Sequence, residues 1–213
     1  APELDDANTL RQLGRTLARL HTVGARRRFV HRPVLDSQRF GHEPVRYLLA
    51  SDWIPAALRA SFQRLTCALL EKIDTALAHI GPLTTLRLHG DCHPGNILWR
   101  DGVAHFVDLD DCLTGPAMQD LWMFLSGNAQ EQRAQLDRLI EGYADFRDFD
   151  WRERHLIEPL RALRLLHYHA WIARRWHDPA FPHAFPWFAE TRHWEDVLRQ
   201  VQEQLAAMDE PMP

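Results

Sequence analysis

Within the eight residues His89-Gly90-Asp91-Cys92-His93-Pro94-Gly95-Asn96 the chain gathers a carboxylate, a carboxamide and two imidazoles. Glycine and proline at 90, 94 and 95 mark a loop, and loops held by regular elements are where reactive groups are presented. Four residues separate Asp91 from Asn96, and another oxygen donor follows at Val107-Asp108-Leu109, where a carboxylate leaves an apolar strand. A hard divalent cation such as Mg²⁺ takes oxygen ligands, so the Asn96 amide and Asp108 are the expected metal pair, with Asp108 counted as catalytic as well. Asp91 is then free to act as a base that orients a hydroxyl and accepts its proton. Chemistry on phosphate groups calls for such a division, because several negative charges must be offset by metal while a nucleophile is positioned.

The elements around this loop must hold it. Apolar residues at Leu10, Leu13, Leu17 and Leu20 give the period of an amphipathic helix, for which Asn8 or Thr9 would be the cap, and an Arg26-Arg27-Arg28 loop follows. A second helix is expected from about Ala56 to Ile80, on the stripe Leu58, Phe62, Leu65, Leu69, Ile73 and Leu77, ending at Gly81-Pro82. The period then changes. Ile97-Leu98-Trp99 and the run from Ala104 to Leu109 read as a β-hairpin turned by Asp101-Gly102, and alternation makes Leu98 or Val107 a candidate floor for an adenine ring. Pro116 is expected to open a helix through Leu121, Trp122 and Phe124. Further helices are expected over 130–146, 151–177 with a kink near Pro159, and 190–207, with a loop from Asp178 to Trp187.

Composition excludes several classes. Among 213 residues 46% are hydrophobic and 25% charged, which fits a globular chain rather than a disordered or fibrous one. The 25 basic against 29 acidic residues leave a net charge of -4, so no nucleic-acid partner is expected. No apolar run reaches the roughly 18 residues of a membrane span, and no signal peptide is legible. The three cysteines, Cys67, Cys92 and Cys112, form no C-x-x-C pair, which fits a reducing, cytoplasmic setting. His89, Cys92, His93 and Cys112 lack zinc-ligand spacing. Asp110 and Asp111 read as solvated or capping acids, and Cys92 as a small packing residue. Arg161, Arg164, His167, His169, Arg174 and Arg175 read as a solvated basic helix face, or alternatively as a groove for an acidic segment.

The run His89 to Asn96, then Val107-Asp108, then Gly115-Pro116-Ala117-Met118-Gln119-Asp120-Leu121, resembles the aminoglycoside phosphotransferase and choline kinase superfamily, which shares the protein-kinase-like fold. The stretches 88–125 and 158–187 resemble its branch of bacterial stress-response serine/threonine protein kinases. The resemblance implies Asp91 as catalytic base, Asn96 and Asp108 as Mg²⁺ ligands, and ATP as phosphoryl donor. It also implies that Asp120 braces the catalytic loop through backbone N–H groups, although a helix-dipole role for Asp120 is an equal reading. His89 is expected to anchor the same loop.

The expected fold class is α+β and predominantly helical: a protein-kinase-like C-terminal lobe of the aminoglycoside phosphotransferase type with a small central β-hairpin. It reads as one lobe over 1–213, helical over 1–85, with the catalytic loop and metal-binding hairpin over 86–110 and a helical subdomain over 111–213. An N-terminal lobe is expected to be absent, since no G-x-G-x-x-G loop occurs and the only lysine, Lys72, falls on a helical stripe. The first functional expectation is an ATP-dependent kinase acting on Ser or Thr of a protein, monomeric in its full-length form. The alternatives are a small-molecule hydroxyl kinase, a pseudokinase-like binding module, and a metal-dependent phosphoesterase that lacks its His-rich cluster.

Overall fold

A computed structural model describes residues 6–210. In chain order these form α1 (Ala7–Gly24), a π-helical turn (Gln38–His42), α2 (Glu43–Ala50), α3 (Ala56–Ile80), β1 (Leu86–Leu88), β2 (Ile97–Arg100), β3 (Val103–Phe106), β4 (Leu113–Gly115), α4 (Ala129–Tyr143), α5 (Ile157–Arg175), α6 (Ala180–Ala184) and α7 (Thr191–Ala207). Short 3₁₀ turns fill Pro94–Asn96, Leu109–Asp111, Ala117–Asp120, Trp122–Phe124, Trp151–Leu156 and Pro186–Ala189. The chain is predominantly helical, and it divides into two compact units. The first combines the residues up to Leu35 with Pro82–Ile157, and the second combines Asp36–Gly81 with Glu158–Glu210.

In the first unit the stripe Leu10, Leu13 and Leu17 buries one face of α1. Its cap is Asp6, whose carboxylate accepts the Thr9 N–H at 2.8 Å, rather than Asn8 or Thr9. A carboxylate there satisfies an orphan amide and meets the positive end of the helix. α1 packs on α4 with backbones in close approach. A Cβ on Gly14 would lie 1.9 Å from the Leu139 carbonyl oxygen, and one on Gly142 would lie 1.9 Å from that of Arg11. This approach brings His21, near the end of α1, to Tyr143, at the end of α4.

Two small antiparallel sheets complete this unit. β2 and β3 form the expected hairpin, pairing Ile97 with Phe106 and Arg100 with Val103, and its turn residues Asp101 and Gly102 both have positive φ, at 51° and 73°. That is the backbone an Asp-Gly hairpin turn requires. β1 pairs with β4, Leu86 opposite Gly115 and Leu88 opposite Leu113, and the Leu35 N–H donates to Thr114 O at 2.8 Å. The helix expected at Pro116 is instead two 3₁₀ turns with a bend at Leu121. Ala117, Met118, Gln119 and Asp120 are all buried, and a continuous surface helix would expose one of those four positions.

The second unit is helical. Phe62, Leu69 and Ile73 of α3 share a core with Leu166 and Ile172 of α5 and with Trp194, Val197 and Val201 of α7. α3 has the bounds its apolar stripe implies, whereas α2 and the turn before it are too short to show a period. Pro159 does not kink a helix. It lies in the first turn of α5, where its missing N–H would have no intrahelical partner, and 151–156 is a separate 3₁₀ segment. Part of the stretch expected to be loop, 178–187, forms the short helix α6.

The expected basic face on α5 is only partly a surface. Arg161 pairs with Glu158 at 2.6 Å, and the Arg174 and Arg175 guanidinium groups lie over the rings of Tyr47 and Trp171 at 4.9 and 5.2 Å. His169 is buried, its Nδ1–H donating to the Leu165 carbonyl at 2.7 Å, and the His167 ring packs on Phe40 with centroids 4.6 Å apart. His169 follows Leu166 by three residues and shares its inward face, whereas His167 lies half-buried on a different side of the helix, against Phe40.

Two predictions follow from this packing. Gly142→Ala would force the α1 and α4 backbones apart and is expected to cost roughly 1–3 kcal/mol, as overpacking does, measured by urea unfolding. Burial lowers the pKa of His167 and of His169 from 6.5 to about 4, so folding releases protons below neutrality. Stability is therefore present above pH 6.5 and falls as pH drops from 6.5 towards about 4, and the urea midpoint of His167→Phe should vary less with pH across that window.

Candidate active site

The 89–96 loop leaves β1 and enters β2, so both ends are fixed by short strands. Its glycine is sterically required. Gly90 has φ 89°, and a Cβ there would lie 2.2 Å from the Asp111 carbonyl oxygen. Asp120 holds the loop from behind. Its Oδ2 accepts the His89 N–H and its Oδ1 accepts the Gly90 N–H, each at 2.8 Å, while the Gln119 amide donates to Gly90 O at 2.8 Å. The carboxylate is fully buried and is committed to the loop backbone, which favours the brace over the dipole reading.

Asp120 has a third donor that sequence reasoning missed. His21 Nε2–H donates to Asp120 Oδ2 at 3.0 Å, and the other ring nitrogen, Nδ1, is hydrogen-bonded to the Tyr143 hydroxyl at 2.8 Å. All three side chains are buried, and burial pushes the Tyr143 phenol upward so that it stays a donor. The signal for His21 was its place four residues after Leu17 on the α1 stripe, a polar residue continuing an apolar series. Asp120 and Tyr143 lie 99 and 122 residues away in sequence, beyond the reach of any local pattern.

The loop is also tied to the second acidic position. His89 Nε2–H donates to the Val107 carbonyl at 2.8 Å, immediately before Asp108, leaving His89 Nδ1 buried with no hydrogen-bond partner. The Val107 N–H donates to Asn96 O at 3.0 Å. Asp108 takes the left-handed conformation with φ 62°, which costs a non-glycine residue of order 1 kcal/mol and turns its side chain out of the strand direction. Asp91 is partly exposed and lies 3.5 Å from His93 Nε2, and His93 Nδ1 accepts the Gly95 N–H at 3.0 Å, closing the turn. Leu98 is 58% exposed on β2, and Val107 is half-buried.

The donor set fits a magnesium ion. The Asn96 Nδ2–H donates to Asp91 O at 3.0 Å, which fixes the amide and leaves its oxygen available to a cation. The exposed Asp108 carboxylate has no hydrogen bond or ion pair among the described residues. One carboxylate and one amide oxygen with phosphate and water completing the shell is a common Mg²⁺ arrangement. Asp110 and Asp111 lie exposed on the following turn, and Arg32 donates to the Asp110 carbonyl. Burial, with help from Asp120 and Asp91, pushes the Cys92 thiol well up, so it stays protonated and packs as a small apolar group.

Residues 1–157 match the phosphotransferase enzyme family APH. The chain belongs to that family. Relatives of the chain include stress response kinase A of Escherichia coli (strain K12), 45% identical over 209 residues, 98% of this chain and 63% of that protein. Serine/threonine protein kinase RdoA of Salmonella typhimurium (strain LT2) is also 45% identical over the same share of each. The chain thus spans somewhat under two thirds of the length of the curated relatives it matches.

Solved structures share the fold. An amicoumacin kinase in complex with AMP-PNP, Ca²⁺ and Ami superposes with TM-score 0.66 at 15% identity, covering 98% of this chain and 61% of that one. A spectinomycin phosphotransferase in an AMP-bound complex superposes with TM-score 0.58 at 17% identity, covering 99% and 70%. As in those phosphotransferases, the architecture is the protein-kinase-like one expected from the sequence. No helix among the described residues is long and apolar enough to cross a membrane.

Removing the buried carboxylate is the direct check on the brace. Asp120→Ala would leave two loop amides and the His21 ring without an acceptor, and breaking such a buried set is expected to cost about 3–5 kcal/mol in urea unfolding.

Proposed function

We propose that this chain supplies the catalytic lobe of an ATP- and Mg²⁺-dependent phosphotransferase, with Ser or Thr of a protein as acceptor. The observation that carries the reading is the coupling of two acidic positions through one backbone. Asp120 fixes the loop bearing Asp91, and His89 ties that loop to the carbonyl preceding Asp108. On this reading residues 1–213 act as a single lobe.

Asn96 and Asp108 would hold the metal, which when bound offsets phosphate charge and orients the γ-phosphoryl group. Asp91 accepts a hydrogen bond from the acceptor hydroxyl and aims its oxygen at phosphorus. As the new O–P bond forms and the bond to the ADP oxygen breaks, the hydroxyl proton passes to Asp91 and the electron pair leaves with ADP. The carboxylate needs little basicity, because in a loose transition state positioning does most of the work. Leu98 and Val107 offer apolar surface for the adenine ring. Support for a protein acceptor comes from relatives at 45% identity named as a serine/threonine protein kinase and a stress response kinase.

The test uses the intact gene product with γ-labelled ATP. Asp91→Asn should lower phosphotransfer about 10²- to 10⁴-fold while nucleotide binding by calorimetry persists. Asp108→Ala should abolish Mg²⁺-dependent ATP binding. Label appearing on Ser or Thr of proteins supports the acceptor assignment; label found only on small alcohols would transfer it to the small-molecule class. Substantial turnover by Asp91→Asn would refute the base.

A further inference from the structure

We infer that Glu153 is a positioning residue for phosphotransfer: its buried carboxylate anchors the Ala117–Asp120 turn and, through Gln119 and Asp120, holds the backbone that carries Asp91. The inference rests on the proposed role of Asp91 and adds a residue that the sequence motifs do not contain.

Glu153 lies on the 3₁₀ segment Trp151–Leu156, outside every motif of the loop, and is 3% exposed. Its Oε2 accepts the Met118 N–H at 2.8 Å, and the Ala117 N–H also bonds to it. These are the first amides of the 3₁₀ turn, which have no acceptor within the turn itself. The same turn then presents Gln119 to Gly90 O and Asp120 to the amides of His89 and Gly90. Every contact that holds the loop from behind is therefore mounted on a four-residue turn whose start is fastened by Glu153. Lateral slip of that turn by a few tenths of an ångström would pass to Asp91 with no intervening flexible side chain except those of Asp120 and Gln119.

An uncharged acceptor could cap two amides, so the retained acid calls for a reason. Glu153 has no ion-pair partner among the described residues, although Arg147, Arg152, Asp150 and Tyr143 all face it. Burial raises its pKa from 4.5 to about 7, with Asp150 adding to the rise and the two amide bonds and Arg147 opposing it. An ionised carboxylate holds amides about twice as strongly as a neutral acceptor, so the fastening tightens as Glu153 loses its proton near neutrality.

The experiment uses the intact gene product, read by ATP-dependent phosphotransfer and by amide hydrogen exchange of the 86–96 segment. Glu153→Ala should speed loop exchange and lower kcat, each about tenfold, with KM for ATP within about twofold because Asn96 and Asp108 are untouched. Wild-type kcat should rise about fivefold between roughly pH 6 and pH 8, the worth of about 1 kcal/mol of charge assistance, and Glu153→Gln should flatten that rise while keeping folded-state exchange. A rising limb that persists in Glu153→Gln overturns the proposal, as does Glu153→Ala with unchanged loop exchange. Should Glu153→Ala fail to fold, the pH profile of Glu153→Gln decides alone. Failure of the Asp91 assignment would appear separately, as turnover retained in Asp91→Asn, because the exchange measurement reads the loop whatever its chemistry.

Discussion

One carboxylate with no solvent around it organises the 89–96 loop and the elements that support it. Asp120 accepts the N–H groups of His89 and Gly90 and the ring N–H of His21, so a buried negative charge is met by three donors from two distant segments. Desolvating a carboxylate is costly, and that cost is offset only when its lone pairs are filled in good geometry. The loop conformation, the seating of α1 and the burial of the Ala117–Asp120 turn are consequently one arrangement, since loosening any of them exposes or orphans the same charge. Gly90 belongs to this set, because a side chain there would collide with Asp111 and pull the amide away from Asp120.

Rigidity behind the loop contrasts with freedom in front of it. Asp91 is partly exposed and Asp108 exposed, whereas Asp120, His89 and Cys92 beside them are buried. On the proposed function a metal and a phosphate chain would meet oxygens held from behind, with the remaining polar groups spent on backbone there. His89 shows this division within one residue. One ring nitrogen fixes the carbonyl ahead of Asp108, and the other is buried without a partner, a local loss accepted for the link.

The loop and hairpin that carry the proposed chemistry were legible because they are local. Asp91, Asn96 and Asp108 fall within one loop and one hairpin, and the Asp101-Gly102 turn announces the hairpin that spaces them. α3 was legible from its stripe, and α1 nearly so, its cap lying two or three residues earlier than Asn8 or Thr9 suggested. What failed was tertiary in origin. The turn after Pro116 carries a helical pattern but is buried on every side, so packing overrides the period. His167 and His169 look basic in sequence, but one is half-buried and the other buried in the fold, and burial lowers the pKa of both so that they stay neutral. Tyr143 carries no motif, and its part depends on the glycine-to-backbone approach of α1 and α4, which no window of sequence contains.

The order in which the units use the chain has a kinetic consequence. Both units are discontinuous: the first cannot close until Pro82–Ile157 exists to meet α1, and the second waits for Glu158–Glu210 to meet α3. His21 and Tyr143 are 122 residues apart, so the contact that seats the Asp120 brace waits until α4 has been made. During synthesis α1 would emerge with its apolar stripe uncovered and remain so for several seconds at ordinary elongation rates of roughly 5–20 residues per second. Closure of the first unit is thereby coupled to translation, and the interval in which the α1 stripe lacks its α4 partner extends past synthesis of the 89–96 loop.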